Sequence, residues 1–280
     1  MSLTRLRAIA AHLTRAPHSA RAASTTVVHN DNAGCCSQPA ASSTYTPRGT
    51  YAPFAGFKRV YMTGPKESSI AIVSIYDIFG FKPQTQLGAD MLADALNARV
   101  VMPDFFEPTE AWDVSKHPPQ TDEDKAAFQK FFAGPAKPEE AVVKLERVVK
   151  ALREDGAKKV GAYGLCWGGK VAALAGAKEG SVLDAIATAH PAMLKADDTL
   201  SLDIPFAIYV SKDEPQEEYK RIVKILQSKP FADKVDYDYY PTMFHGWAGA
   251  RANLDDPENK RLFDEVYQRM GSFFGKNLKA

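Results

Sequence analysis

The feature that most constrains this chain is a strand that must become a helix within a handful of residues. Lys159-Val-Gly-Ala-Tyr163 is a short apolar segment that reads as a buried strand, and Val171-Ala-Ala-Leu-Ala-Gly-Ala177 reads as a small-residue helix. Between them lies Gly164-Leu165-Cys166-Trp167-Gly168. So abrupt a turn strains the backbone at its central residue, and glycines two before and two after remove the side chains that would collide. The pattern is a nucleophile elbow with Cys in place of Ser. It would raise the sulfur above the sheet at a helix N-terminus, where unpaired N–H groups favour the thiolate. The alternative for a cysteine between glycines is a small buried hydrophobe. Against that stands the order of the downstream residues: Asp213 after one predicted strand and His245 after another, giving the series nucleophile, acid, histidine.

The rest of the chain supplies the framework such an elbow needs. Residues 56–62 alternate in part and suit a first, edge strand. Ile70-Ala-Ile-Val-Ser-Ile75 is nearly continuous apolar sequence, as expected of a central parallel strand covered on both faces. Residues 84–96 carry Leu87, Met91, Leu92 and Leu96 at helical spacing, and Arg99-Val-Val-Met102 is the next strand. Residues 105–119 form a long segment rich in aromatics and prolines, the composition of a binding loop or lid. Helices follow over 122–132 and 138–153, then strands at 159–163, 185–189, 206–210 and 235–240, with helices over 216–226 and 257–274. Strands alternating with helices predict an α/β fold with a mostly parallel central sheet flanked by helices, and no internal repeat interrupts it.

Charge excludes one class of partner. With 35 Lys and Arg against 34 Asp and Glu, a net of +1, the chain has no basic excess to recruit nucleic acid. No apolar run approaches the roughly 20 residues of a membrane span. Residues 1–30 differ from the remainder: Arg5, Arg7, Arg15 and Arg21 lie beside Leu3, Leu6, Ile9 and Leu13, with no acid before Asp31. This is the composition of a mitochondrial presequence, the alternative being a disordered tail in a cytoplasmic protein. Residues 31–54 read as a linker and hold the adjacent Cys35 and Cys36, which suit no disulfide framework. The folded domain is then 55–280.

Ligands of open α/β sheets sit beyond the carboxyl ends of the strands. Asp77, Asp104, Cys166, His190, Asp213 and His245 all fall at such ends. In the reading the order suggests, His245 takes the thiol proton of Cys166 and Asp213 holds the imidazole, with Glu214 as the competing acid. The backbone N–H of Trp167, just after the nucleophile, is one oxyanion donor, and that of Ile78, after the 70–75 strand, is the other. Asp104 reads as a loop cap, and His190 has a structural reading beside a functional one.

Five motifs in order carry a resemblance: Tyr76-Asp77-Ile-Phe-Gly80, Pro103-Asp-Phe-Phe106, Gly164-Leu-Cys-Trp-Gly-Gly169, Ser211-Lys-Asp-Glu-Pro215 and Phe244-His-Gly-Trp247. Together they resemble the dienelactone hydrolase family, in its eukaryotic and particularly fungal branch. The resemblance implies a single-domain α/β-hydrolase fold, a triad of Cys166, Asp213 and His245, no metal and no organic cofactor. It implies carboxymethylenebutenolidase-type activity, in which a thiolate opens a dienelactone and water releases maleylacetate. Bacterial members carry Glu where this chain has Asp77, and that Glu pairs with the resting thiol, so Asp77 is expected to modulate the nucleophile. They also clamp the substrate carboxylate with two arginines. Arg251, six residues past His245, is the candidate for one, and no second arginine lies between Thr109 and Glu140. That departure, the Trp167 side chain and the aromatic loop point to a bulkier ester, lactone or thioester. A thioesterase or acyl-transfer enzyme on the same triad, and a non-enzymatic mitochondrial member, are the alternatives. The expected partner is a small molecule, bound by a monomer or homodimer.

Overall fold

The computed structural model describes residue 41 and residues 43–279; the predicted presequence and the Cys35-Cys36 pair lie outside the described residues. The strands are β1 (Thr50–Phe54), β2 (Phe57–Thr63), β3 (Ile70–Ile75), β4 (Arg99–Pro103), β5 (Lys159–Leu165), β6 (Ala185–Ala189), β7 (Phe206–Ser211) and β8 (Asp236–Tyr240). The helices are α1 (Pro83–Leu96), α2 (Asp122–Ala133), α3 (Pro138–Glu154), α4 (Trp167–Gly176), α5 (Gln216–Gln227) and α6 (Pro257–Leu278). The sheet order is β1-β2-β4-β3-β5-β6-β7-β8. The pairs β1–β2 and β2–β4 are antiparallel and every other pair is parallel, the α/β-hydrolase arrangement.

Alternation along β5 shows how the layers form. Gly161 faces Phe274 of α6, and the ring of Tyr163 lies 6.1 Å from that of Tyr267 on the same helix. Gly164 points the other way, against Gly168 of α4. Successive side chains of a strand go to opposite faces, so α6 and α4 cover opposite sides. α1 packs on α6, and α3 packs on α4. Covered on both faces, β3, β4, β6 and β7 are buried along their whole length, which is why their sequences are nearly continuous apolar runs rather than alternating ones. Register aligns the carboxyl ends: Ile75 lies opposite Gly164, Leu165 opposite Ala189, and Ser211 opposite Tyr240. The loops after β3, β5, β6, β7 and β8 therefore emerge at one end of the sheet.

Two sequence expectations are corrected. The segment read as a linker to residue 54 contains β1, so β2 is not the edge strand but lies between β1 and β4. β1 is mostly exposed, so the apolar residues it carries mark no buried face. Its anchor is remote, a fully buried Asp90 on α1. That carboxylate accepts from Tyr61 (2.9 Å), Tyr45 (2.6 Å) and the Arg48 N–H (3.1 Å).

Helix α4 also begins directly after Cys166 and runs through Gly168 and Gly169. A Cβ on Gly164 would stand 2.0 Å from the Gly168 carbonyl oxygen, and one on Gly168 would stand 2.1 Å from that of Ile75. The contact is backbone on backbone, with no flexible side chain to yield. Gly164→Ala is expected to cost about 3 kcal/mol by forced displacement, or roughly 6–12 °C in Tm at this size. Thermal unfolding by circular dichroism checks this, and an unchanged Tm would refute the close approach.

Candidate active site

Cys166 sits at the N-cap of α4 with φ 54° and ψ −115°, a conformation unfavourable for any residue but glycine. The elbow is clamped by the strand beside it. The Cys166 N–H donates to Ala189 O (3.3 Å), and Cys166 O accepts from Ala192 N–H (2.9 Å) and Gly169 N–H (3.0 Å). Trp167 is the first helical residue, so its N–H is among those at a helix start with no intrahelical acceptor. Its side chain is wholly buried: the indole Nε1–H donates to Ala136 O (2.7 Å), and the ring packs on Phe106 (4.8 Å) and Phe105 (6.2 Å). The expected substrate-facing role of that side chain is thereby corrected; it fills the core beneath the elbow and braces α4.

His245 lies in the turn after β8 and is fully buried. Its Nδ1 stands 2.7 Å from Glu214 Oε1. A carboxylate can only accept, so Nδ1 carries the proton in that bond. Glu214 is itself buried, and its other oxygen accepts from the Ser211 N–H. Asp213 is half-exposed, and its Oδ2 accepts from the backbone N–H of His245 (2.8 Å). The expectation that Asp213 holds the ring is corrected on geometry. Both acids attend to residue 245, but the shorter side chain ends at its backbone, and the extra methylene of Glu214 carries a carboxylate to the imidazole.

The loop after β3 faces this group. Asp77 is buried; its Oδ1 accepts from Phe79 N–H (3.0 Å), and its Oδ2 accepts from Ala250 N–H (2.8 Å). Burial pushes the Asp77 carboxyl above the usual carboxylate range, against the opposing pull of those two N–H groups and of nearby Arg251 and His245. Arg251 is also buried, with its guanidinium 5.7 Å from the centre of the Phe79 ring. The aromatic segment after β4 closes over the loop: Trp112 N–H donates to Ile78 O (2.8 Å), and Trp112 packs on Phe128 of α2 (4.8 Å).

One residue enters that sequence reasoning left undecided. His190 is fully buried at φ 39°, and its ring meets that of His245 edge to face at 5.2 Å. Its place at the end of β6 was the only signal of it in the sequence. The structure thus brings Cys166, His245, Glu214, His190, Asp77 and Arg251 to one end of the sheet. Asp104 lies at the same end, where it accepts from Tyr76 Oη (2.8 Å). Among the described residues no helix is long and apolar enough to cross a membrane.

Comparisons with known proteins agree with this architecture. Residues 58–278 match the model of the dienelactone hydrolase family. An uncharacterized AIM2 family protein of Schizosaccharomyces pombe is 35% identical over 248 residues, covering 86% of this chain and 98% of its own. A carboxymethylenebutenolidase homolog of Xenopus tropicalis is 27% identical over 233 residues, 79% of this chain and 87% of its own. The crystal structure of a dienelactone hydrolase from Anabaena variabilis superposes with a TM-score of 0.57 at 13% identity, over 84% of this chain and 99% of that one, a likeness of fold.

Proposed function

The chain belongs to the dienelactone hydrolase family, and on that premise we propose that it hydrolyses a small ester or lactone through an acyl-thiol intermediate on Cys166. The observations that carry the reading are the strained Cys166 at the start of α4 and, at the same end of the sheet, a buried His245 whose Nδ1 is paired to Glu214. With Nδ1–H committed to a carboxylate, Nε2 is the ring atom that handles the thiol proton. His245 accepts the proton from Sγ, and the thiolate adds to the substrate carbonyl carbon. The resulting oxyanion lies between the N–H groups of Ile78 and Trp167, each worth about 3–4 kcal/mol of barrier. The C–O bond then breaks, the departing alkoxide takes the proton from His245, and a thioester remains. Water, deprotonated by His245, attacks the thioester, and Sγ recovers the proton as the acid leaves. In a lactone the alkoxide stays tethered and the product is a single hydroxy acid. Arg251 is the proposed contact for an acidic group on the substrate. Placement in the fungal branch is supported by the identity to the fission-yeast protein.

Acid quenching during turnover of p-nitrophenyl acetate, followed by peptide mass spectrometry, tests the intermediate. One acetyl group is expected on the peptide bearing Cys166, discharged by hydroxylamine. Acetylation confined to another residue would overturn the assignment.

A further inference from the structure

We propose that Asp77 is a positioning residue: it folds the loop after β3 so that the Ile78 N–H is presented to the oxyanion, and it ties that loop to the turn carrying His245. The inference rests on the reading of Cys166 as nucleophile and adds a device that organises its oxyanion hole. Asp77 Oδ1 accepts from Phe79 N–H at 3.0 Å, closing an Asx turn across Ile78. Asp77 O accepts from Gly80 N–H at 3.2 Å, closing a β-turn around the same residue. That carbonyl and the Ile78 N–H are two ends of a single peptide unit. Hydrogen bonding at the carbonyl fixes the plane of the unit and polarises its N–H. From the other side, Ile78 O accepts from Trp112 N–H at 2.8 Å. The Ile78 backbone is thus held before and after the donor.

The second carboxylate oxygen makes the tie. Oδ2 accepts from Ala250 N–H at 2.8 Å, across 173 residues of sequence. The approach is so close that a Cβ on Gly249 would stand 2.7 Å from Oδ2 and 3.4 Å from the His190 ring. Only a glycine admits the carboxylate there. Both oxygens are therefore engaged by backbone N–H groups from two loops, one bearing the oxyanion donor and one bearing His245. A role for the Asp77 charge in tuning the thiol, expected from the bacterial Glu, predicts a different outcome of one experiment.

The experiment compares full-length wild type, Asp77→Ala and Asp77→Asn in a background with Cys35 and Cys36 changed to Ser. Three readouts are taken: kcat and KM on p-nitrophenyl acetate, inhibition by an aryl trifluoromethyl ketone, and the pH dependence of Cys166 alkylation by iodoacetamide. The ketone forms a hemithioketal whose oxyanion occupies the same hole. Asp77→Ala removes the Asx turn and should lower kcat about 10²-fold, the cost of a small misplacement of a catalytic group. KM should hold, ketone affinity should fall by the same factor as kcat, and the alkylation midpoint should stay in place. Asp77→Asn keeps an oxygen for the Phe79 N–H but sets its NH2 against the Ala250 N–H, so it retains the Asx turn and loses the tie; kcat and ketone affinity should fall together, to between wild type and Asp77→Ala, with the alkylation midpoint in place. An alkylation midpoint that moves in both variants, with ketone affinity unchanged, would overturn the proposal in favour of charge tuning. Should the Ala variant not fold, Asn alone decides: ketone affinity lowered in step with kcat at an unmoved midpoint supports positioning, and a moved midpoint or an unchanged ketone affinity refutes it. Failure of the nucleophile reading is separate, since Cys166→Ala would then turn over like wild type.

Discussion

Cys166→Ala is expected to lower kcat about 10⁶-fold, the loss seen when the nucleophile of such a constellation is removed alone. The residual rate would come from the oxyanion donors and from binding, which survive the change. The fold should survive it too. The positive φ at 166 is imposed by the clamp from Ala189 and Ala192 rather than by the sulfur. Alanine keeps the Cβ, so the substitution removes one buried atom at a cost of about 1 kcal/mol. Steady-state turnover of an aryl ester and a thermal unfolding curve, taken together, check the statement. A variant that remains folded and hydrolyses at the wild-type rate would show that the elbow cysteine is a packing residue.

Glu214→Gln is expected to lower kcat about 10⁴-fold, as loss of the orienting carboxylate does in the serine-protease arrangement. The imidazole needs an acceptor at Nδ1 so that Nε2 is free of its proton and aimed at the thiol. An amide 2.7 Å away can present its NH2 instead and stabilise the wrong tautomer. It also gives no compensation when His245 becomes imidazolium, at a site with almost no access to water. Asp213→Asn should be mild by comparison. Asn keeps an oxygen for the His245 N–H, and weakening that bond by loss of charge is worth roughly tenfold at most. Measuring kcat for the two variants side by side decides between the acids. If the Asp213 variant shows the large loss and the Glu214 variant the small one, Glu214 is not the working partner of the ring.

Much of the framework is legible in the residues alone. Ile70–Ile75 and Ala185–Ala189 are strands with the bounds that their apolar runs suggest, because full burial on both faces leaves no solvent-facing position to blur the ends, Ser74 and Thr188 being interior and buried. The elbow is legible because its glycines are dictated by backbone contacts, with Gly164 against Gly168 and Gly168 against Ile75. β1 is not legible: its residues are mostly exposed, and their order comes from pairing with β2 and from an anchor on Asp90 far along the chain. The Trp167 side chain misleads for a related reason. Its neighbours in sequence place it beside the nucleophile, but its contacts, Phe105, Phe106 and Ala136, come from other segments and bury it.

Local patterns suffice to establish that this chain folds as a mostly parallel α/β sheet and that a cysteine, two candidate acids and a histidine arrive at its carboxyl edge in a chemically ordered series. Those patterns are apolar runs, helical spacing, and glycines where a strand meets a helix. The assembled fold was needed to learn that Glu214 rather than Asp213 reaches the His245 ring, that His190 packs against that ring, and that the Asp77 oxygens are taken by Phe79 and Ala250. Adjacent carboxylates in one turn differ by a single methylene, and which of them meets a group 31 or 32 residues away depends on how two separate loops are seated on the sheet. No pattern within either loop records that seating.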